Sequence, residues 1–116
     1  MTIALIVIAT ILGLIASVSA VGKLTKRPDV IETMTNVGVP EHLIPALAGL
    51  ELLGALGLIV GIWSKPIGVA AAAGLTLYFL GAVASHVRAK DQGKDLVPAL
   101  VLSLVAITTL IFEVAR

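Results

Sequence analysis

The sequence predicts an all-α integral membrane protein in which four transmembrane helices form a left-handed antiparallel bundle. Of its 116 residues, 59% are hydrophobic and 13% are charged, so there are too few polar side chains to cover a soluble domain. The apolar residues form four runs of about 17 to 21 residues, long enough to cross ~30 Å of hydrocarbon as helices. Most charged residues lie between these runs. We therefore expect a single transmembrane domain over residues 1–116.

Composition also excludes several classes of function. The net charge of +1 provides no basic surface for nucleic acid. The chain has no cysteine, which excludes disulfides, thiolate metal sites and cysteine-based redox pairs. We expect no metal site. No run alternates apolar and polar residues, so the strands of a membrane barrel are not expected.

The four predicted spans are residues 3–22, 43–63, 67–87 and 96–112. The first run also has a secretory-signal interpretation, because Val18-Ser19-Ala20 resembles a cleavage site. A signal peptide carries basic residues before its apolar stretch, whereas none precedes Ile3. The pattern therefore favours a retained transmembrane helix.

Loop 1 is too long for a simple turn and predicts a short amphipathic helix on the membrane surface. After Pro28, Asp29 and Glu32 have the spacing of a capping box. The apolar residues that follow fall on one side at helical spacing: Val30, Ile31, Met34 and Val37. Gly38 and Pro40 end the segment. The alternative is a polar connector without a function.

The distribution of lysine and arginine predicts the orientation in the membrane. Loops 1 and 3 carry six of the eight cationic residues: Lys23, Lys26, Arg27, Arg88, Lys90 and Lys94. The opposite side has only Lys65 and Arg116. We expect loops 1 and 3 to face the cytoplasm.

Each span carries a row of small residues, here called its small-residue face, that predicts where it packs. Helices in lipid associate through close contact rather than through the hydrophobic effect. In chain order, the faces are Ala9, Gly13, Ala16, Ala20 and Lys23; Glu51, Gly54, Gly57 and Gly61; Gly74, Tyr78, Gly81, Ser85 and Arg88; and Ala99, Ser103, Ala106 and Thr109.

Glu51 is the most informative residue, because it lies about 12 Å inside the membrane, counting 1.5 Å per residue from Leu43. An ionisable group at such a depth costs roughly 2.5 kcal/mol or more unless it is paired, protonated or hydrated. One interpretation is a functional carboxyl that faces the interior of the bundle. The other is a structural carboxyl, neutral or paired with Lys23, that ties helices together.

Polar residues of the same leaflet predict a pocket open to the cytoplasmic side. Glu51 and His86 are the candidate catalytic residues, since a carboxyl and an imidazole can transfer protons. Lys23, Arg88 and Tyr78 are the candidate ligand-binding residues, with Tyr78 deeper in the bundle. The cations also suit an anionic or carbonyl-bearing lipophilic ligand. The structural alternatives are an interfacial histidine and cations that extend to the headgroups.

Two further polar pairs are His42 with His86 and Glu113 with Lys65. A haem held by His42 and His86 would require both histidines to turn inward, and we do not expect one. Glu113 and Lys65 lie on the opposite side, where we expect a surface ion pair of little energetic weight.

The order and spacing of several segments resemble the DoxX-like membrane protein family. The similar segments are Gly22-Lys23-Leu24, Val37-Gly38-Val39-Pro40, Glu51 to Leu58, Ala70 to Leu75 and Gly81 to Arg88. The resemblance extends from about Ala16 to Ala106. It implies a four-helix protein of the bacterial inner membrane.

The resemblance also implies a link to membrane oxidoreductases, since the family is named after a subunit of a thiosulfate:quinone oxidoreductase. Without cysteine, a redox role here would require a partner, a quinone or another bound cofactor. Lys23, Glu51, His86 and Arg88 occupy polar positions of the family pattern, and no catalytic assignment comes with them.

Three functions stay open from the sequence. The first is a membrane subunit or enzyme that binds a quinone or another lipophilic ligand near Glu51, as part of an oxidoreductase or lipid-modifying system. The second is a proton-coupled small transporter that uses Glu51 and resembles the small multidrug resistance family. That family carries its glutamate in span one and binds drugs with aromatic residues, of which this chain has four. The third is a scaffold subunit of a membrane complex or a homo-oligomer without chemistry of its own.

Overall fold

The computed structural model describes residues 3–36, 38–89 and 96–116, and this part of the chain contains helices and no strands. Its helices are α1 (Ile3–Leu24), α2 (Pro28–Asn36), α3 (Ile44–Val60), α4 (Lys65–Arg88) and α5 (Leu96–Ala115), with a 3₁₀ turn at Glu41–Leu43 before α3. Four of the segments are long and apolar enough to cross a membrane: α1, the 3₁₀ turn with α3, α4 and α5. The predicted all-α fold with four transmembrane helices is confirmed.

The four long helices form a closed ring in which α1 packs on α3, α3 on α4, α4 on α5, and α5 on α1. Between them lies an apolar core that includes Leu12, Leu58, Leu75 and Phe79. Many large apolar side chains point outward instead, as expected of a surface that contacts lipid. The interior therefore depends on close contact between helices.

Two helix ends differ from the predicted spans. α3 ends at Val60, because residues 61–63 form a turn that leads into α4. α5 continues past residue 112 to Ala115 and carries Glu113 into the bundle, where the side chain is buried. Hydropathy predicts where the apolar run of a helix lies, but it does not predict that a polar residue in the last turn is buried.

The predicted small-residue faces are confirmed for α1 and α5, whose predicted residues are all buried. In α3 the predicted face divides in two. Glu51 lies on a buried face with Ala48 and Ala55, whereas Gly54 and Gly57 lie against α4. A Cβ atom at Gly54 would come within 2.6 Å of the Leu75 side chain, so this glycine provides the space into which Leu75 packs.

The predicted packing face of α4 is wrong. Gly74, Gly81 and Arg88 are exposed, and a Cβ atom at either glycine would meet no atom within 4 Å. The buried face of α4 instead includes Leu75 and Phe79. The helix is rotated in this way because its large side chains pack into the space left by the glycines of α3.

The short helix predicted in loop 1 is confirmed as α2, and its place on the membrane surface stays a prediction. Asp29 lies inside the first turn rather than at the cap, so the capping-box interpretation is wrong in register. Gly38 has φ +88° and donates its N–H to the Thr35 carbonyl, while the Val39 N–H bonds to the Met34 carbonyl, which ends α2 in a Schellman motif. Of the residues used in the predictions, Val37, Lys90 and Lys94 lie outside the described residues.

Candidate functional site

A buried ion pair between α1 and α3 forms the centre of the candidate site. The Lys23 ammonium donates to Glu51 Oε1, and Glu51 is 0% and Lys23 7% exposed. Ser19 lies one helical turn before Lys23 on the same face of α1. Its hydroxyl accepts a hydrogen bond from Lys23 at 2.8 Å and donates one to Glu51 Oε1 at 3.3 Å. The depth of Glu51 is thus accommodated by a cation and a hydroxyl from the neighbouring helix.

α4 adds an aromatic wall to this ion pair. Lys23 Nζ lies 5.9 Å from the centre of the Tyr78 ring, within the range of a cation–π contact. The Tyr78 phenol also interacts electrostatically with the Glu51 carboxyl. Phe79 holds the Tyr78 ring in an edge-to-face contact, with ring centres 5.3 Å apart. Tyr78 is therefore positioned from two sides.

These groups line a cavity of about 460 Å³. Its polar residues are Ser19, Lys23, Glu51, Tyr78, Ser85 and His86. The rest of its wall is apolar and comes from α3, α4 and α5 together with Met34 of α2 and Val39. A mostly apolar cavity with a few converging polar groups is typical of a small-molecule site.

One polar atom of this site has no hydrogen-bond partner in the part of the chain that the structure describes. Glu51 Oε2 is buried and makes no hydrogen bond to any described residue, although Oε1 of the same carboxyl accepts two. A buried oxygen without a partner costs roughly 1–3 kcal/mol. The site therefore has an unused acceptor, and the Lys23 ammonium and the Tyr78 hydroxyl supply donors close by.

The structure brings four of the five predicted site residues together and leaves the fifth apart. Lys23, Glu51, Tyr78 and His86 line one cavity. Arg88 is exposed at the end of α4 and does not line it. Sequence reasoning missed Ser19, although its position four residues before Lys23 was a usable signal, since residues at this spacing share a helix face.

The two histidines line different cavities. His86 faces the cavity of the ion pair, while His42 is exposed beside a second cavity of about 470 Å³ near Lys26 and Glu41. Over residues 3–36, 38–89 and 96–116, no group of three or more His, Asp or Glu side chains could hold a metal ion. Among the described residues, the two histidines thus line separate cavities.

The model of the DoxX-like family matches residues 7–108, which contain all five predicted site residues. The chain belongs to the DoxX-like family. No curated protein and no solved structure matches it. The membership confirms the resemblance found in the sequence and supports a small membrane protein.

This DoxX-like protein has a second buried carboxyl at the opposite end of the bundle. Glu113 is 1% exposed and pairs with Arg116, whose Nε lies 3.2 Å from Glu113 Oε1. Arg116 also donates to the Gly61 carbonyl at the end of α3, and Lys65 donates to the Arg116 carbonyl at 2.8 Å. The predicted surface pair of Glu113 with Lys65 is wrong, because the absent side chain of Gly68 leaves room for the carboxyl inside the bundle.

Proposed function

We propose that this protein binds the polar head of a lipophilic ligand, with a quinone as the first candidate, in the cavity around Lys23 and Glu51. The observation that carries the proposal is the unpartnered Glu51 Oε2 in the wall of a mostly apolar cavity. A quinol hydroxyl can donate to such an oxygen, and a quinone carbonyl can accept from Lys23 or Tyr78. The same site suits both redox forms of one ligand.

In this proposal each polar residue has a separate role. Lys23 offers positive charge to a carbonyl oxygen, and Tyr78 adds a hydroxyl and an aromatic face. Glu51 Oε2 accepts a hydrogen bond from the hydroxyl of the reduced ligand. His86 lies on the same cavity wall and is the candidate group for exchanging protons with water.

We also propose in which membrane, in which orientation and in which kind of system the protein acts. We place the protein in the bacterial cytoplasmic membrane with α2 and the loop after α4 facing the cytoplasm, as the distribution of cations favours. There it would serve as a subunit or enzyme of a membrane oxidoreductase or lipid-modifying system, together with a partner protein or a second copy. The proton-coupled transporter has less support, because Lys23 already neutralises the carboxylate that would attract a cationic drug. The scaffold interpretation differs from the proposal in expecting no bound ligand.

Ligand titration in nanodiscs tests the proposal. Decyl-ubiquinone is titrated into the purified protein, and Tyr78→Phe is compared with the parent. Loss of one hydrogen bond of about 1–1.5 kcal/mol weakens binding roughly five- to tenfold. Glu51→Gln and His86→Ala are expected to weaken it as well.

Glu113→Gln is the matched control, since Glu113 is also a buried glutamate paired with a cation but lies at the other end of the bundle. It should bind decyl-ubiquinone within twofold of the parent. Equal affinity of the parent, Glu51→Gln and His86→Ala would refute the proposed site.

A further inference from the structure

A groove of about 570 Å³, different from the two cavities described above, lies on the lipid-facing side of α3 and α4. Its wall is almost wholly apolar. Its wall includes the small residues Gly57, Ala71 and Gly74 and the exposed side chains of Leu53 and Leu77. Among the described residues that form its wall, Tyr78 alone is polar. The groove exists because small residues on both helices leave the space that larger side chains would fill.

This groove meets the polar cavity at Tyr78. Leu77 and Tyr78 line both spaces, so the hydroxyphenyl group stands between the ion pair on one side and the lipid-facing groove on the other. From Ile67 to Tyr78 the groove follows α4 for about 16 Å, at 1.5 Å per residue. A molecule with a polar head and a long apolar chain matches a polar cavity that continues into an apolar groove.

We propose that the ligand has a hydrocarbon tail, which lies in the α3–α4 groove while its head occupies the polar cavity. This inference rests on the proposed function and adds the class of ligand and its route. The ligand enters sideways from the lipid, passing between Leu53 and Leu77 rather than through the loops. Lipid chains and the groove are equally apolar, so the tail gains from close packing and from the placement of its head rather than from the hydrophobic effect.

Three glycines allow a clean test, because a Cβ atom at each would meet no atom within 4 Å. Gly74 lies in the groove, Gly81 lies in the polar cavity, and Gly49 lies on the exposed surface of α3 outside both. A leucine at each site adds the same volume without a collision of its Cβ, and leucine is a better helix former than glycine. The leucine of Gly74→Leu therefore fills the groove, and that of Gly81→Leu fills the polar cavity. The leucine of Gly49→Leu fills neither space and serves as the control.

Each variant is titrated in nanodiscs with decyl-ubiquinone and with the same benzoquinone lacking its tail. The ratio of variant to parent affinity for one ligand cancels the partitioning of that ligand into lipid. Gly74→Leu should weaken binding of the tailed ligand at least fivefold and leave the tail-less ligand within twofold. Gly81→Leu should weaken both at least fivefold, and Gly49→Leu should leave both within twofold.

The outcomes separate this inference from the proposed function. If Gly81→Leu weakens both ligands and Gly74→Leu weakens neither, the head site stands and the tail groove is refuted. If the parent binds neither ligand, both proposals are refuted. If Gly74→Leu changes the mass of an oligomer in native mass spectrometry and not the affinity for the tailed ligand, the groove is a contact between copies, and the tail assignment is refuted.

Discussion

Removing either partner of the Lys23–Glu51 pair should have unequal effects on stability. Lys23→Met leaves a carboxylate that is 0% exposed without its cation, and breaking a buried ion pair in this way costs about 3–5 kcal/mol. Glu51→Gln leaves Lys23 in the last turn of α1, where its long stem lets the ammonium reach the headgroups. The loss is then mainly that of a charged hydrogen bond, about 1.5–3 kcal/mol.

The double variant Lys23→Met/Glu51→Leu removes both charges together. Replacing a buried ion pair by apolar side chains of similar volume is often neutral. We therefore expect its stability to lie closer to the parent than that of Lys23→Met, with a coupling energy of several kcal/mol between the two sites.

The assay is the free energy of unfolding in mixed micelles, measured by titration with SDS and followed by far-UV circular dichroism. Lys26→Met is the matched control, because Lys26 is an exposed cation three residues away and should change stability by less than about 0.5 kcal/mol. A loss below about 1 kcal/mol for Lys23→Met, or a double variant as unstable as the sum of the single ones, would show that Lys23 and Glu51 do not form a buried ion pair.

Three further predictions concern packing, a helix end and the site. Gly61→Ala should destabilise the protein by about 1–3 kcal/mol in the same assay, because the new Cβ would lie 2.7 Å from the Gly68 backbone nitrogen. Its control is Gly49→Ala, where the new Cβ faces open space. That variant should be neutral or stabilise the protein by up to about 1 kcal/mol. Lys26→Gly should raise stability by up to about 1 kcal/mol, since Lys26 lies in the turn after α1 with φ 55°, a conformation that glycine adopts without strain. Arg88→Ala should bind decyl-ubiquinone within twofold of the parent in nanodiscs, because Arg88 is exposed and outside the cavity wall.

For each of these predictions, one result would contradict it. Equal stability of Gly61→Ala and Gly49→Ala would mean that α3 and α4 are not in backbone contact. A destabilised Lys26→Gly would mean that the lysine side chain contributes more than its backbone strain removes. A large loss of affinity in Arg88→Ala would place the ligand outside the cavity.

Sequence reasoning could predict the ion pair because α1 has a regular pattern. Ala9, Ala16 and Lys23 repeat at seven residues, which places Lys23 on the face that packs, and Glu51 lies in the same leaflet. A carboxyl deep in an apolar run also needs a partner. The place of Lys23 on the packed face of α1 and the need of the Glu51 carboxyl for a partner together indicated the centre of the site.

The face of α4 could not be predicted in the same way. A glycine in a membrane helix allows a close helix contact and equally leaves a notch that faces lipid. Gly57 takes the first role, since a Cβ there would lie 2.8 Å from that of Ala71, and Gly74 takes the second. The choice depends on which side chains of the partner fill which notches, and spacing within one helix does not contain that information.

Glu113 shows how a span boundary drawn by hydropathy misleads. Ending the span at residue 112 placed this glutamate at the surface, although the seven-residue repeat of Ala99 and Ala106 continues to it. The repeat was the signal that could have identified a buried carboxyl.

Native mass spectrometry of the nanodisc-embedded protein, with decyl-ubiquinone added, is the decisive test of quinone binding in the cavity around Lys23 and Glu51. We expect one bound quinone per chain in the parent and in Gly49→Leu. We expect its loss in Gly81→Leu, where a leucine fills the cavity beside Lys23, Glu51 and Tyr78. Absence of bound quinone from the parent, or equal occupancy in all three proteins, would contradict it.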